Sequence, residues 1–212
     1  MTADISSART RVRKDAETRQ AEIVAAAFKV FARDGLAAAK VDAIAEEARV
    51  SKGTVYTYFK TKEEVFEAVV RTHIQTALEN TVAGAISNDM SHEERLRAVL
   101  GGAYRLFAGS DIRKIVTLLV GEGGRFPKLV KFYHDNVLAR GRAIVSAVVR
   151  EGVNAGAFRD IPVEDYPQII MGPAMMGAIW AQHFHKYSPV DLEKLYEAHV
   201  DLLLEGLRPR SD

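Results

Sequence analysis

The sequence predicts an all-α chain, and three observations carry that prediction. Apolar residues recur at helical spacing: Ile23, Ala26, Ala27, Val30 and Phe31 form one stripe. Strand-like alternation is hard to find anywhere in the 212 residues. Capping signals also precede the apolar runs, with Ser51, the pair Thr61 and Glu64, and the pair Ser91 and Glu94 each placed to start a helix.

Taken in order, the first helix carries the Ile23–Phe31 stripe and ends where Gly35 follows "FARD" as a C-cap. Val41, Ile44, Ala45 and Ala48 repeat the pattern over a shorter run. Ser51 caps a third short helix in "VSKGTVYTYFKTKEE". A fourth opens near Lys62 and reads apolar at Val65, Phe66, Val69, Val70, Ile74, Ala77 and Leu78, until Gly84, Asn88 and Asp89 break it. The box at Ser91 starts a helix with Leu96, Val99, Leu100, Ala103, Leu106 and Phe107. Ser110 or Asp111 is expected to cap the next, which "GEGGRFP" interrupts. A long helical segment from Lys128 to Glu151 follows, then the break "GVNAGAFRDIP". Helical runs return at 163–186 and, with Ser188 as cap and Pro189 at the first position, at 190–207. The expected organisation is a basic arm with three short helices at 1–62, a connecting helix at 63–80 and a larger helical body at 81–212.

Composition narrows the classes. With 48% hydrophobic and 27% charged residues the chain has the profile of a soluble globular protein. Absence of Cys excludes disulfides and thiolate chemistry. No signal-peptide core or membrane-length apolar stretch is present, so a cytoplasmic protein without a membrane partner is expected. The six histidines are scattered, and His183 and His185 point to different sides of a helix, a poor metal pair. No H-E-x-x-H, P-loop or G-x-S-x-G pattern occurs. No catalytic residue, metal or cofactor is expected. The net charge of +1 hides an asymmetry: residues 1–62 carry 12 Lys/Arg against 8 Asp/Glu, the remaining 150 carry 17 against 20. Arg9, Arg11, Arg13 and Lys14 cluster, as do Arg49, Lys52, Lys60 and Lys62. Either the N-terminal third meets something anionic or it ends in a solvated basic tail.

Three short helices with tight turns have helix-turn-helix spacing. In "SKGTVYTYF", Val55 and Phe59 stand four apart and can pack on the domain, leaving Lys52, Thr54, Tyr56, Thr57 and Tyr58 outside. Gly53 costs such a helix about 1 kcal/mol relative to Ala, yet lets a partner's backbone come close. Those are the demands on a helix entering a DNA groove.

The stretch "GLAAAKVDAIAEEARVSKGTVYTYFKTKEEVFEAVV" resembles the N-terminal domain of the TetR family of bacterial transcriptional repressors, over roughly residues 19 to 70. The resemblance implies that Lys52, Gly53 and Thr57 approach bases, that Thr54, Tyr56, Tyr58 and Lys62 hold phosphates, and that Ser51 caps the recognition helix at the interface. It also marks two departures. Lys40 stands where relatives often carry a Thr or Ser cap, and Arg49 where they often carry Gly. A cation beside the DNA backbone is one reading of Lys40. Arg49 would be strained if its backbone is left-handed.

The remaining body is too large for DNA binding alone, and the resemblance implies that it binds a small-molecule effector and forms a homodimer on a palindromic double-stranded operator. Candidate pocket residues are Tyr104, Phe107, Phe126, Tyr133, Met171, Met175, Met176 and Trp180, since Met adapts to irregular shapes and aromatics dominate small-molecule sites. Gly172 and Gly177 leave room for a ligand or another helix, and Pro173 is expected to kink its helix. The resemblance implies that the last two helices form the dimer surface, and the apolar positions Leu192, Leu195, Leu202 and Leu203 are its expected contacts. The expected function is a repressor released by a small, largely apolar molecule. A ligand-independent architectural DNA-binding protein and an activator of the same fold are the alternatives.

Overall fold

Gly and Pro are absent before residue 35, so nothing interrupts the first helix. In the computed structural model α1 spans Thr2–Asp34, reaching back through the segment read above as an arm. The structure describes residues 2–75, 89–162 and 166–210, with the side chains of residues 2–14, 75, 110 and 111 outside that description. The arginines at 9, 11 and 13 and Lys14 therefore contribute helical backbone only.

Two units divide the chain, Met1–Thr72 and His73–Asp212. In the first, α1 is followed by α2 (Val41–Glu47), α3 (Lys52–Tyr58) and α4 (Lys62–Val70), which gives way to a wider π-type turn at Arg71–Gln75. Ile23, Ala27, Val30 and Phe31 are fully buried, as their spacing predicts. Phe31 meets Phe66 edge-on with centroids 5.2 Å apart. Val65, Val69 and Val70 are buried beside it, so α4 packs on α1 as part of the N-terminal unit rather than serving only as a connector. Full burial of a side chain of this size contributes about 1.5–3 kcal/mol. Residues 76–80 of the expected connecting helix, and the expected break at 84 and 88, lie outside the described residues.

Local signals behave as predicted at most ends. Gly35 takes φ 81 and its N–H reaches the Phe31 carbonyl at 3.0 Å. Thr61 accepts the Glu64 N–H at 3.1 Å, but the Glu64 carboxylate takes the Lys60 N–H at 2.7 Å, one residue earlier than a full capping box requires.

The second unit contains α5 (His92–Ala108), α6 (Ser110–Glu122), a 3₁₀ turn at Gly123–Arg125, α7 (Pro127–Tyr133), a π-type turn at His134–Leu138, α8 (Ala139–Asn154), α9 (Gln168–His183) and α10 (Leu192–Leu207). The Ser91–Glu94 box is complete, and its bonds hold the Glu94 carboxyl below the usual range. Gly109, not Ser110 or Asp111, sits at the start of α6. Helix α9 continues through Pro173. At α10 the cap moves: Asp191 accepts the Glu193 and Lys194 N–H groups at 3.0 and 3.2 Å, while Ser188 gives its carbonyl to the Trp180 indole at 2.8 Å. The carboxylate directly before the apolar stripe displaces the hydroxyl three residues earlier.

Leu96 and Leu100 of α5, Val145 and Val149 of α8, Ile170 of α9 and Val200, Leu204 and Leu207 of α10 form the core of this unit. Gly152 is needed there, because a Cβ would lie 2.2 Å from the Phe158 ring. The fold is all-α, with no strand among the described residues. No helix among them is long and apolar enough to cross a membrane.

Candidate nucleic-acid interface

The candidate interface is built from the turn between α2 and α3. Val50 N–H bonds the Ala45 carbonyl at 2.9 Å and Arg49 N–H bonds that of Glu46 at 3.0 Å, the paired bonds of a Schellman motif. That motif drives the residue after the cap into the left-handed region, and Arg49 takes φ 55, the sole non-glycine residue with positive φ among those described. For a side chain with a Cβ this costs roughly 1–2 kcal/mol. At the other end of α2, Lys40 stands at the cap in an extended conformation and makes no side-chain cap bond. Both departures from the family pattern thus cost something locally.

Helix α3 presents the two faces its sequence predicts. Val55 and Phe59 are buried, Lys52, Gly53, Tyr56 and Thr57 exposed, Thr54 and Tyr58 half-buried. Ser51 accepts the Thr54 N–H at 3.0 Å and its hydroxyl lies 2.8 Å from that of Thr54, so both hydroxyls serve the cap. Thr57 donates its hydroxyl back to the Gly53 carbonyl at 3.0 Å. Lys52 is paired: Asp42 of α2 holds its ammonium at 2.9 Å and, chiefly through that hydrogen bond, raises its pKa. Gly53 is the most informative position. A Cβ built there meets only the Ser51 hydroxyl, at 3.7 Å, so nothing in the protomer asks for glycine.

Lys62 is placed differently from expectation. Its ammonium donates to the carbonyls of Leu36, Ala37 and Ala39 at 2.7, 3.2 and 3.0 Å. An ammonium has three N–H donors, and all three are committed to the turn between α1 and α2. The phosphate role expected of Lys62 gives way to that of a clamp.

The second unit separates the expected pocket residues into two groups. Tyr104, Phe107 and Tyr133 are buried, and Phe126, Met171 and Met175 half-buried. Burial pushes the Tyr104 hydroxyl up to about 12 and that of Tyr133 upward as well. Tyr104 is 3.2 Å from Nδ1 of buried His199, a partner the sequence did not reveal. Met176 and Trp180, by contrast, are 57% and 38% exposed. They share an outer stripe of α9 with Ile169, and the Phe184 ring lies tilted against Trp180 at a centroid distance of 5.1 Å. The spacing of Ile169, Pro173, Met176 and Trp180 carried that signal. Gly177 makes room for α10: a Cβ would meet Leu195 at 2.7 Å and Leu192 at 3.1 Å. Leu192 and Leu195 therefore pack within the protomer, and Leu203 packs on the core. Leu202 alone of the four expected dimer residues is largely exposed, at 76%.

Comparison with known proteins agrees with this geometry. Residues 23–69 match the family profile described as bacterial regulatory proteins, tetR family. The fatty acid metabolism regulator protein of Bacillus subtilis (strain 168) is 26% identical over 196 residues, 92% of this chain and 98% of that one. The crystal structure of the regulator FadR from Bacillus subtilis in complex with stearoyl-CoA has a TM-score of 0.70 at 22% identity, covering 88% of this chain and 98% of that chain. A transcriptional regulator from Saccharomonospora viridis in complex with choline reaches 0.79 at 18% identity, covering 92% and 100%. The two solved structures share the fold, the relative is similar over nearly its whole length, and the profile identifies residues 23–69 as a domain of the TetR family of bacterial transcriptional regulators.

Proposed function

We propose that the chain works in the cytoplasm as a homodimeric repressor, gripping a palindromic operator through α3 and releasing it when the second unit binds a small, largely apolar molecule. The observation that carries the DNA part is Gly53. The fold leaves space for a methyl group there, and a helix without a Cβ is explained by a partner whose backbone comes within contact distance. Lys52 and Thr57 then face bases beside it, while Thr54, Tyr56, Tyr58 and the uncapped Lys40 face phosphates.

Two copies are required because a palindrome presents half-sites about 34–36 Å apart. The outer stripe of α9, with Ile169, Met176, Trp180 and the neighbouring Phe184, is the surface for that pairing, joined by Leu202. A ligand relieves repression only by binding the DNA-incompetent arrangement more tightly. The buried and half-buried set of Tyr104, Phe107, Phe126, Tyr133, Met171 and Met175 suits an apolar body. A relative named for fatty acid metabolism and a structural neighbour bound to stearoyl-CoA support a long-chain acyl compound as the class.

Gly53→Ala tests the reading, because its two effects have opposite sign. Alanine should stabilise the helix by up to about 1 kcal/mol while weakening operator binding at least about tenfold, roughly 1.4 kcal/mol. Thermal melts and fluorescence anisotropy on the same samples measure both. Unchanged binding by the alanine variant would remove α3 from the interface. Titrating palmitoyl-CoA into the wild-type complex tests the effector class, and an undisturbed complex would rule acyl thioesters out.

A further inference from the structure

The cations between residues 15 and 62 sort by partner. Arg19 pairs with Glu22 at 2.5 Å, Lys29 with Glu47 at 3.2 Å, Arg33 with Asp34 at 2.7 Å and Lys52 with Asp42 at 2.9 Å. Lys62 is held by three carbonyls. Among the described residues of this range, Lys40, Arg49 and Lys60 have side chains with neither an ion pair nor a hydrogen bond. Their positions are not scattered. Lys40 stands directly before α2, Arg49 in the turn between α2 and α3, and Lys60 between α3 and α4. One unpartnered cation stands in each of the three junctions from α1 to α4, and Arg49 and Lys60 flank the helix that carries Gly53.

Arg49 differs from the other two. It occupies left-handed backbone, where glycine would sit without strain. Its side chain is exposed and answers no need of the fold. Glu46 and Glu47 lie within three residues, yet the guanidinium pairs with neither, and Glu47 is taken by Lys29. A strained position that keeps a long cationic side chain with no partner in its own protomer points outward.

We infer that Arg49 is a phosphate-binding residue, its guanidinium taking a backbone phosphate of the operator beside the groove that α3 enters. This rests on the DNA-binding reading above and adds to it a contact at a position where the family often has no side chain. Guanidinium suits the task because its planar fork meets two phosphate oxygens at once and never loses its charge. Phosphate is favoured over a base edge because the residue lies in the turn, outside the helix whose exposed face carries Lys52, Gly53 and Thr57. The contact fixes register and orientation and carries no sequence information of its own.

The test uses the full chain, a duplex that the wild-type protein enriches from a random-sequence pool, and a mixed-sequence control duplex. Anisotropy titrations across a salt series are run beside thermal melts for wild type, Arg49→Gly and Arg49→Lys. Arg49→Gly is expected to melt higher than wild type, since it relieves the left-handed strain. It should nonetheless bind both duplexes about five- to tenfold more weakly at low salt, with the log–log salt slope shallower by about 0.9, one phosphate's worth. Arg49→Lys should keep the slope and recover part of the affinity. A higher melt with affinity and slope unchanged would overturn the assignment, leaving the arginine as a tolerated surface residue. Weakened binding confined to certain operator base pairs, with the control duplex unaffected, would also overturn it, in favour of base reading. Failure of the wild-type protein to enrich any duplex would strike the DNA-binding reading itself, a result distinct from either.

Discussion

At the scale of single residues, the buried polar groups are the most exacting. His199 is 8% exposed and shares a hydrogen bond with Tyr104 through Nδ1, while its Nε2 is enclosed without a partner among the described residues. Burial lowers its pKa, and it lowers that of His73 too. A histidine whose folded pKa lies below its unfolded value of about 6.5 favours the fold only while neutral. Its contribution is complete above that pH and declines as acidification proceeds from there toward the lowered folded value, because the unfolded chain then binds more protons. Urea midpoints should therefore fall as pH drops below about 6.5, and His199→Gln should flatten that decline. An identical pH profile in the variant would assign the decline to other groups. The α3 residues were readable from the sequence because their partners are near neighbours: Ser51 caps Thr54, and Val55 and Phe59 share one face. His199 was not, since Tyr104 lies 95 positions away along the chain.

At the scale of elements, Lys62 shows how a local signal acquires a distant purpose. It opens α4 as its capping sequence predicts, yet its ammonium closes the turn between α1 and α2 through three carbonyls that lie 23 to 26 residues earlier. Spacing within a helix is visible in a sequence, whereas a lysine folded back on an earlier turn leaves no periodic trace. Replacing it should loosen the seat of α2 and α3. Lys62→Met is expected to cost about 2 kcal/mol, in the range for hydrogen bonds to a charged group, seen as a lower melting temperature. The salt slope of operator binding should change by much less than the ~0.9 that one lost phosphate contact would produce. A full drop in slope with an unchanged melt would return Lys62 to the phosphate backbone. Helix α9 teaches the complementary lesson. Its Met and Trp residues read together as pocket lining, but residues two apart along "IIMGPAMMGAIWAQ" face opposite surroundings, with Ala174 and Ala178 buried and Met176 and Trp180 outside.

At the scale of the whole molecule, the all-α class, the order of helices and most of their ends follow from period and caps. What period could not supply was the assignment of an apolar face to the core of one protomer or to a second copy. Exposure supports the proposed pairing: Ile169 at 60%, Met176 at 57% and Leu202 at 76% leave large apolar side chains uncovered in the protomer. Met176→Arg should leave the protomer's melt nearly unchanged, since the side chain is exposed, while sedimentation shifts from dimer to monomer and operator binding falls by at least about tenfold. A dimer that survives this change would move the interface elsewhere. The ion pair between Asp42 and Lys52 has its own outcome at this scale. On the proposed DNA-binding reading, a carboxylate already sitting on Lys52 dulls the attraction toward the vast excess of unrelated chromosomal sequence, so fewer copies idle on the wrong sites. Because both partners are solvated, the exchange of carboxylate for operator is inexpensive once the shapes match, and selectivity rises without a single added base contact.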